Sequence, residues 1–155
     1  MKPLHILVLS AFLPFAALAE ASTDAPAATG ASPVGPVVAA DVVLADLLYL
    51  RRPVVVFADT PNDPNFIRQM ELIAAALPAL AERDVIVITD TDPAARSDIR
   101  RELRPRGFSL VLMDKDLRPV IRKPLPWDVR EITNAIDKFP LRRQEIQQRN
   151  ATPGG

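Results

Sequence analysis

Asp59, Asp90 and Asp92 are the residues of this chain best placed to do chemistry. Each follows a short β-branched run, 53–58 or 85–89, where a buried strand would end. In an open α/β sheet, ligands bind in the crevice beyond the carboxyl ends of the parallel strands. Carboxylates gathered there suit Mg²⁺ or Ca²⁺, and a pair can divide the roles of general acid and base. Thr60 adds a hydroxyl beside Asp59, but a lone hydroxyl needs a base before it can attack anything. The same residues have structural uses. Asp92, like Asp63, precedes a proline as a helix N-cap does, and capping is the commoner role of such an aspartate. A threonine in a turn commonly bonds its own backbone. No spacing resembles an EF-hand loop, so no metal site and no cofactor are expected.

The chain contains no cysteine, and its one histidine is His5. Thiolate nucleophiles, disulfides, dithiol exchange and Cys/His zinc sites are therefore excluded. Lys and Arg together number 19, as do Asp and Glu, so nothing favours nucleic acid or an anionic membrane as a partner. Most of the basic residues are arginine. Arg100, Arg101, Arg104 and Arg106 form one cluster, and Arg142 and Arg143 form another with Glu145 nearby. Guanidinium forks grip carboxylate, phosphate or sulfated sugar. The alternatives are a solvated helix face or, for Arg142, Arg143 and Glu145, a latch set by Leu141 packing back onto the domain. Tyr49 and Trp127 are expected to be partly buried anchors.

The ends of the chain carry different signals. Lys2, the apolar run Leu4 to Leu18 and the small-x-small Ala17-Leu18-Ala19 read as a secretory signal over residues 1–19. The run is too short for a membrane span, so an exported product, periplasmic or secreted, with no stable membrane insertion is expected. Residues 20–40 are rich in Ala, Ser, Thr, Pro and Gly and read as a flexible linker. A folded domain over 41–149 and a frayed tail over 150–155 complete the division.

Within the domain, strand and helix patterns alternate. Asp41 is expected to open a short helix through Leu48. The run 53–58 reads as a buried strand. Asp63-Pro64 opens a helix whose stripe is Phe66, Met70, Ile73, Leu77 and Leu80, with Pro78 kinking or ending it. A strand at 85–89 follows, then a helix from Asp92-Pro93 carrying Ile99 and Leu103. Strands 108–113 and 118–122 flank the turn Asp114-Lys-Asp116. A final helix carries Val129, Ile132, Ile136 and Phe139 and stops at Pro140. The order β-α-β-α-β-β-α makes the first two strands parallel and the last two a hairpin. That is an α/β, thioredoxin-like arrangement: a four-stranded mixed sheet with flanking helices.

Three stretches carry a family resemblance: Arg52-Pro-Val-Val-Val-Phe-Ala-Asp59, Gly107-Phe-Ser-Leu-Val-Leu-Met-Asp-Lys-Asp-Leu-Arg-Pro-Val120, and Ile136-Asp-Lys-Phe-Pro-Leu-Arg-Arg-Gln-Glu145. Together they resemble the peroxiredoxin-related P-DUDES group. That group includes small exported bacterial domains of unknown function and segments of vertebrate sushi-repeat matrix proteins. The resemblance spans about Leu44 to Glu145 and implies the thioredoxin-like fold. Thioredoxins carry Cys-x-x-Cys in the turn after the first core strand, where this chain has Asp59 to Asp63. Their cis-proline position corresponds here to Ser109, and Thr60 lies in the loop that bears the peroxidatic residues of peroxiredoxins. Leu117 occupies a hairpin position that favours glycine. The expectation is an exported, non-redox binding or scaffold module for an envelope or extracellular protein or a polyanion. The alternative is an enzyme using the Asp59, Asp90 and Asp92 crevice.

Overall fold

The computed structural model of the chain describes residues 35–151. The expected signal, most of the linker and the last four residues lie outside the described residues. Five strands form one mixed sheet: β1 (Val37–Val38), β2 (Arg52–Phe57), β3 (Val85–Asp90), β4 (Ser109–Met113) and β5 (Pro119–Lys123), in the order β1-β3-β2-β4-β5. β2 runs parallel to β3, with Val54 opposite Val87, and antiparallel to β4, with Val55 opposite Val111. β4 and β5 make the expected hairpin. The sub-order β3-β2-β4-β5, with these directions and helical crossovers, is the thioredoxin-like arrangement.

The helices are α1 (Pro64–Ala74), α2 (Leu77–Ala81), α3 (Asp98–Leu103), α4 (Val129–Ile136) and α5 (Pro140–Ala151). Period-two alternation sorts the strand residues between two cores. Val54, Val56, Val85, Val87, Leu110 and Leu112 face Ile73, Leu80, Ile132 and Ile136 of α1, α2 and α4. Val55, Phe57, Ile86, Ile88, Val111 and Met113 face Ile99 and Leu103 of α3. A sheet covered on both faces explains why β2 reads as an unbroken apolar run. Asp63 caps α1 as expected: its Oδ1 accepts from the Asn65 and Phe66 amides at 2.8 and 3.2 Å. Gln69 of α1 is fully buried. Its amide clamps the Trp127 backbone, donating to the carbonyl at 3.0 Å and accepting from the N–H at 2.7 Å.

Several expectations are corrected. The sheet has a fifth strand because Val37 and Val38 pair with Ile88 and Thr89 at the edge of β3. Ordered structure thus begins inside the stretch read as linker; a two-residue strand has no periodicity to betray it. Asp41 opens no helix, and residues 39–48 instead form two 3-10 turns, Ala39–Asp41 and Leu44–Leu47. Asp92 caps only the 3-10 turn Pro93–Ala95, and Ser97 caps α3. Pro140 opens α5 instead of ending the helical structure, since proline fits the first turn of a helix, where its missing N–H leaves no bond unmade. Residues 150 and 151 therefore belong to a helix rather than a tail. Leu117 does adopt the left-handed conformation (φ 62°), and the hairpin carries a register shift between Leu112 and Met113.

The core on the α4 side gives a direct probe of packing energy. Ile132 is fully buried, and Ile132→Ala should lower the unfolding free energy by about 2–5 kcal/mol through lost transfer energy and a residual cavity. Val120, 46% exposed on edge strand β5, serves as control; Val120→Ala should stay within about 0.5 kcal/mol in the same urea titration.

Candidate functional site

The two ends of the sheet hold two charge clusters. At the carboxyl ends of β2 and β3, Asp90 is buried and fully engaged. Its Oδ1 accepts from Arg100 Nε at 2.9 Å, and its Oδ2 accepts from the Ser97 hydroxyl at 2.5 Å. Arg100 Nη2 also donates to the Ala58 and Asp90 carbonyls at 2.8 and 3.0 Å, so one guanidinium ties the two strand ends together. Its carbon lies 5.4 Å from the Phe57 ring centroid. Asp59 stands beside it, largely exposed, with Oδ1 at 3.7 Å from Arg100 Nη1.

The structure thus brings Asp59 and Asp90 together on one arginine, which pairs closely with Asp90 and more loosely with Asp59. Asp92 is exposed and occupied as a cap, accepting from the Ala94 and Ala95 amides. The Thr60 hydroxyl accepts from the Asn62 amide at 3.3 Å, a local turn bond. Among the described residues no three acids gather as metal ligands. Sequence reading missed that Arg100 and Ser97 belong with Asp90. The i,i+3 step from Ser97 to Arg100 on one helix was the signal available.

At the opposite end, Arg52 opens β2 with its side chain wholly buried. Nε donates to Asp114 Oδ1 at 3.0 Å, Nη1 to the Arg83 carbonyl at 2.9 Å, and Nη2 to Glu145 Oε1 at 2.8 Å. The cluster continues outward. Lys115 pairs with Asp84 and Glu145 at 2.8 and 2.9 Å, Arg83 with Asp137 at 2.7 Å, and Arg142 with Asp137 and Glu145 at 3.3 and 3.4 Å. The cations Arg52, Arg83, Lys115 and Arg142 are balanced by Asp84, Asp114, Asp137 and Glu145. The Leu141 amide donates to Asp114 Oδ2 at 3.2 Å, which seats the start of α5 on the β4–β5 turn.

Arg142 is buried in this cluster, whereas Arg143 is exposed. The latch geometry therefore involves Arg142 and Glu145, with Arg52 at its centre. Arg52 was missed because the strand was read from Pro53 onward. Tyr49 is 64% exposed, contrary to its reading as an anchor. Trp127 is half-buried, with Lys123 Nζ 4.4 Å from its ring centroid.

A third feature lies near the Asp90 end. Arg104, Arg106 and Arg122 line a groove of about 440 Å³ with Phe108, Ser109 and Pro124. Of the arginine cluster read from sequence, Arg100 turns inward to Asp90, Arg101 pairs locally with Asp98, and Arg104 and Arg106 face this groove.

Fold and site define a thioredoxin-like α/β domain without a thiol, in which the buried strand-end acid Asp90 is paired with Arg100. Residues 43–145 match the family described as Domain of unknown function (DUF4174), and the chain belongs to that family. No curated protein matches it. Among solved structures it is similar to Plasmodium yoelii thioredoxin peroxidase I, at 18% identity and a TM-score of 0.48 over 62% of this chain and 76% of that one. It is also similar to the reduced Plasmodium vivax 2-Cys peroxiredoxin, at 15% identity and a TM-score of 0.49 over 72% and 86%.

Two predictions follow from the Arg52 cluster. Removing one partner of a buried, hydrogen-bonded ion cluster leaves the others uncompensated, so Arg52→Ala should cost about 3–5 kcal/mol in urea unfolding at neutral pH. The second concerns pH. Burial would raise the Glu145 pKa, but hydrogen bonds and charge from Arg52 and Lys115 outweigh it and lower the value from 4.5 to about 2. The hydrogen bond from Arg83 likewise lowers Asp137, against the opposing effect of burial. Both carboxylates contribute stability that is complete above their unfolded pKa values. That contribution is lost as pH falls, because the unfolded chain takes up protons first. Stability should therefore fall between about pH 5 and pH 2. Glu145→Gln should start less stable at pH 7 and show a shallower acid slope.

Proposed function

We propose that this chain is an exported, non-catalytic thioredoxin-like module that acts by binding a partner. The observation that carries this reading is the state of Asp90. A general base or metal ligand needs a free lone pair facing solvent, and this carboxylate is buried with both oxygens engaged by Arg100 and Ser97. The Thr60 hydroxyl next to Asp59 accepts from the Asn62 amide, and no base beside it is shown among the described residues to activate it. A chain without cysteine has no thiolate to place in that turn. The resemblance to the P-DUDES group supports a peroxiredoxin-related domain in which the fold is kept and the redox residues are absent. Export rests on Lys2, the Leu4–Leu18 run and Ala17-Leu18-Ala19.

Three measurements test this reading. Protein recovered from a bacterial envelope fraction should have a mass beginning at Glu20, and recovery of an uncleaved chain in the cytosol would refute export. Metal-free protein should neither reduce insulin nor consume peroxide. Millimolar Mg²⁺ or Ca²⁺ should leave the melting temperature unchanged, whereas a ligand at a hundred times its Kd would add about 2.7 kcal/mol. A metal-dependent rise that Asp90→Asn abolishes would favour the metal-binding or enzyme alternative instead.

A further inference from the structure

We propose that the groove lined by Arg104, Arg106 and Arg122 binds a phosphate- or sulfate-type oxyanion on a small polar molecule; this deepens the reading of the domain as a binding module. The groove lies just past the exit of α3 and at the end of β5, near the carboxyl end of β2. Its volume of about 440 Å³ suits a small ligand, and no acid is among its lining residues.

The charges in it are uncompensated. Arg52, Arg83, Arg100 and Arg142 all have carboxylate partners. The Arg104 and Arg106 side chains have neither an ion pair nor a hydrogen bond among the described residues. Arg122 donates to the Leu103 carbonyl at 2.8 Å and to no carboxylate. That bond fixes the direction of the guanidinium and covers a carbonyl at the negative end of α3 that would otherwise repel an anion. Asp59, on the neighbouring turn, stands beside Arg100.

Ser109 supplies an independent sign. The residue is only 4% exposed, yet its hydroxyl has no hydrogen-bond partner among the described residues. Among the described residues no fully enclosed polar side-chain atom is unpartnered, so this hydroxyl opens onto the groove it lines. A hydroxyl in a groove that three arginines also line adds a donor to their guanidinium forks, as a tetrahedral dianion with several acceptor oxygens requires. Phe108 and Pro124 offer an apolar wall for the carrier molecule. The net charge of zero argues against a diffuse polyanion surface.

Calorimetric titration of the full chain with inorganic phosphate, inorganic sulfate and glucose 6-phosphate tests the site. Saturable one-to-one binding is expected, persisting at about 0.15 M salt. Arg106→Gln and Arg104→Gln should each weaken it about tenfold or more, through loss of charge-assisted bonds. Arg106 is exposed and unpartnered, so the melting temperature of Arg106→Gln without ligand should match that of the parent. Ser109→Ala should weaken binding less. Equal affinity for phosphate and glucose 6-phosphate would make the free anion the ligand; tighter binding of the sugar phosphate would make it the carrier molecule. Absence of saturable binding, or binding unchanged by Arg104→Gln and Arg106→Gln, would overturn the site and leave the module reading standing. Hydrolysis of the sugar phosphate would instead refute the non-catalytic reading while leaving the groove as a site.

Discussion

The fold depends on one buried guanidinium. Arg52 sits at the start of the central strand with no contact with solvent, where an unpaired charge would cost several kcal/mol. Its cost is met only because three separate parts of the chain bring acceptors to it: the β4–β5 turn through Asp114, the turn after α2 through the Arg83 carbonyl, and α5 through Glu145. Each acceptor fixes an element that the apolar core alone would leave free to shift. Hydrophobic contact is non-directional, whereas a planar fork accepts partners only along set directions. α5 has only Arg142 buried along its length, so it is held by charge more than by apolar packing.

Arg100 does the equivalent work at the other end of the sheet. By joining the Ala58 and Asp90 carbonyls to the Asp90 carboxylate, it fills part of the strand-end region, where a pocket of only about 70 Å³ remains beside Asp90. Both oxygens of the buried Asp90 carboxylate are held by Arg100 and Ser97. Two arginines with no such partner follow at the exit of α3: Arg104, whose left-handed conformation (φ 45°) ends the helix, and Arg106. A single helix and its exit therefore divide their guanidinium groups between an inner structural tie and an open groove.

Much of this was legible along the chain. β2, β3 and β4 are short apolar runs bounded by turn residues, and α1 and α4 carry clean stripes, so their positions follow from periodicity. Asp63-Pro64 marks its helix start because a cap acts on its own neighbours. What could not be read are features set by partners far away. Val37–Val38 becomes a strand only against the edge of β3. Pro140 is a stop signal in isolation and a helix start once the Leu141 amide finds Asp114, 27 residues earlier. Asp59 and Asp90 looked like a free pair because Arg100, ten residues past Asp90, reaches both only in the folded chain.

The sequence by itself determined the chemical exclusions and the class of fold. Without cysteine no thiol chemistry is possible, and the succession of apolar periods admits few topologies. The tertiary structure alone decided which charges are neutralised. Ion pairs here join residues as far apart as Arg52 and Glu145, and local sequence carries no record of such pairing. It arises when sheet register and helix docking place side chains within hydrogen-bond reach. The same register leaves Arg104, Arg106 and Arg122 around one groove without an acid to meet them.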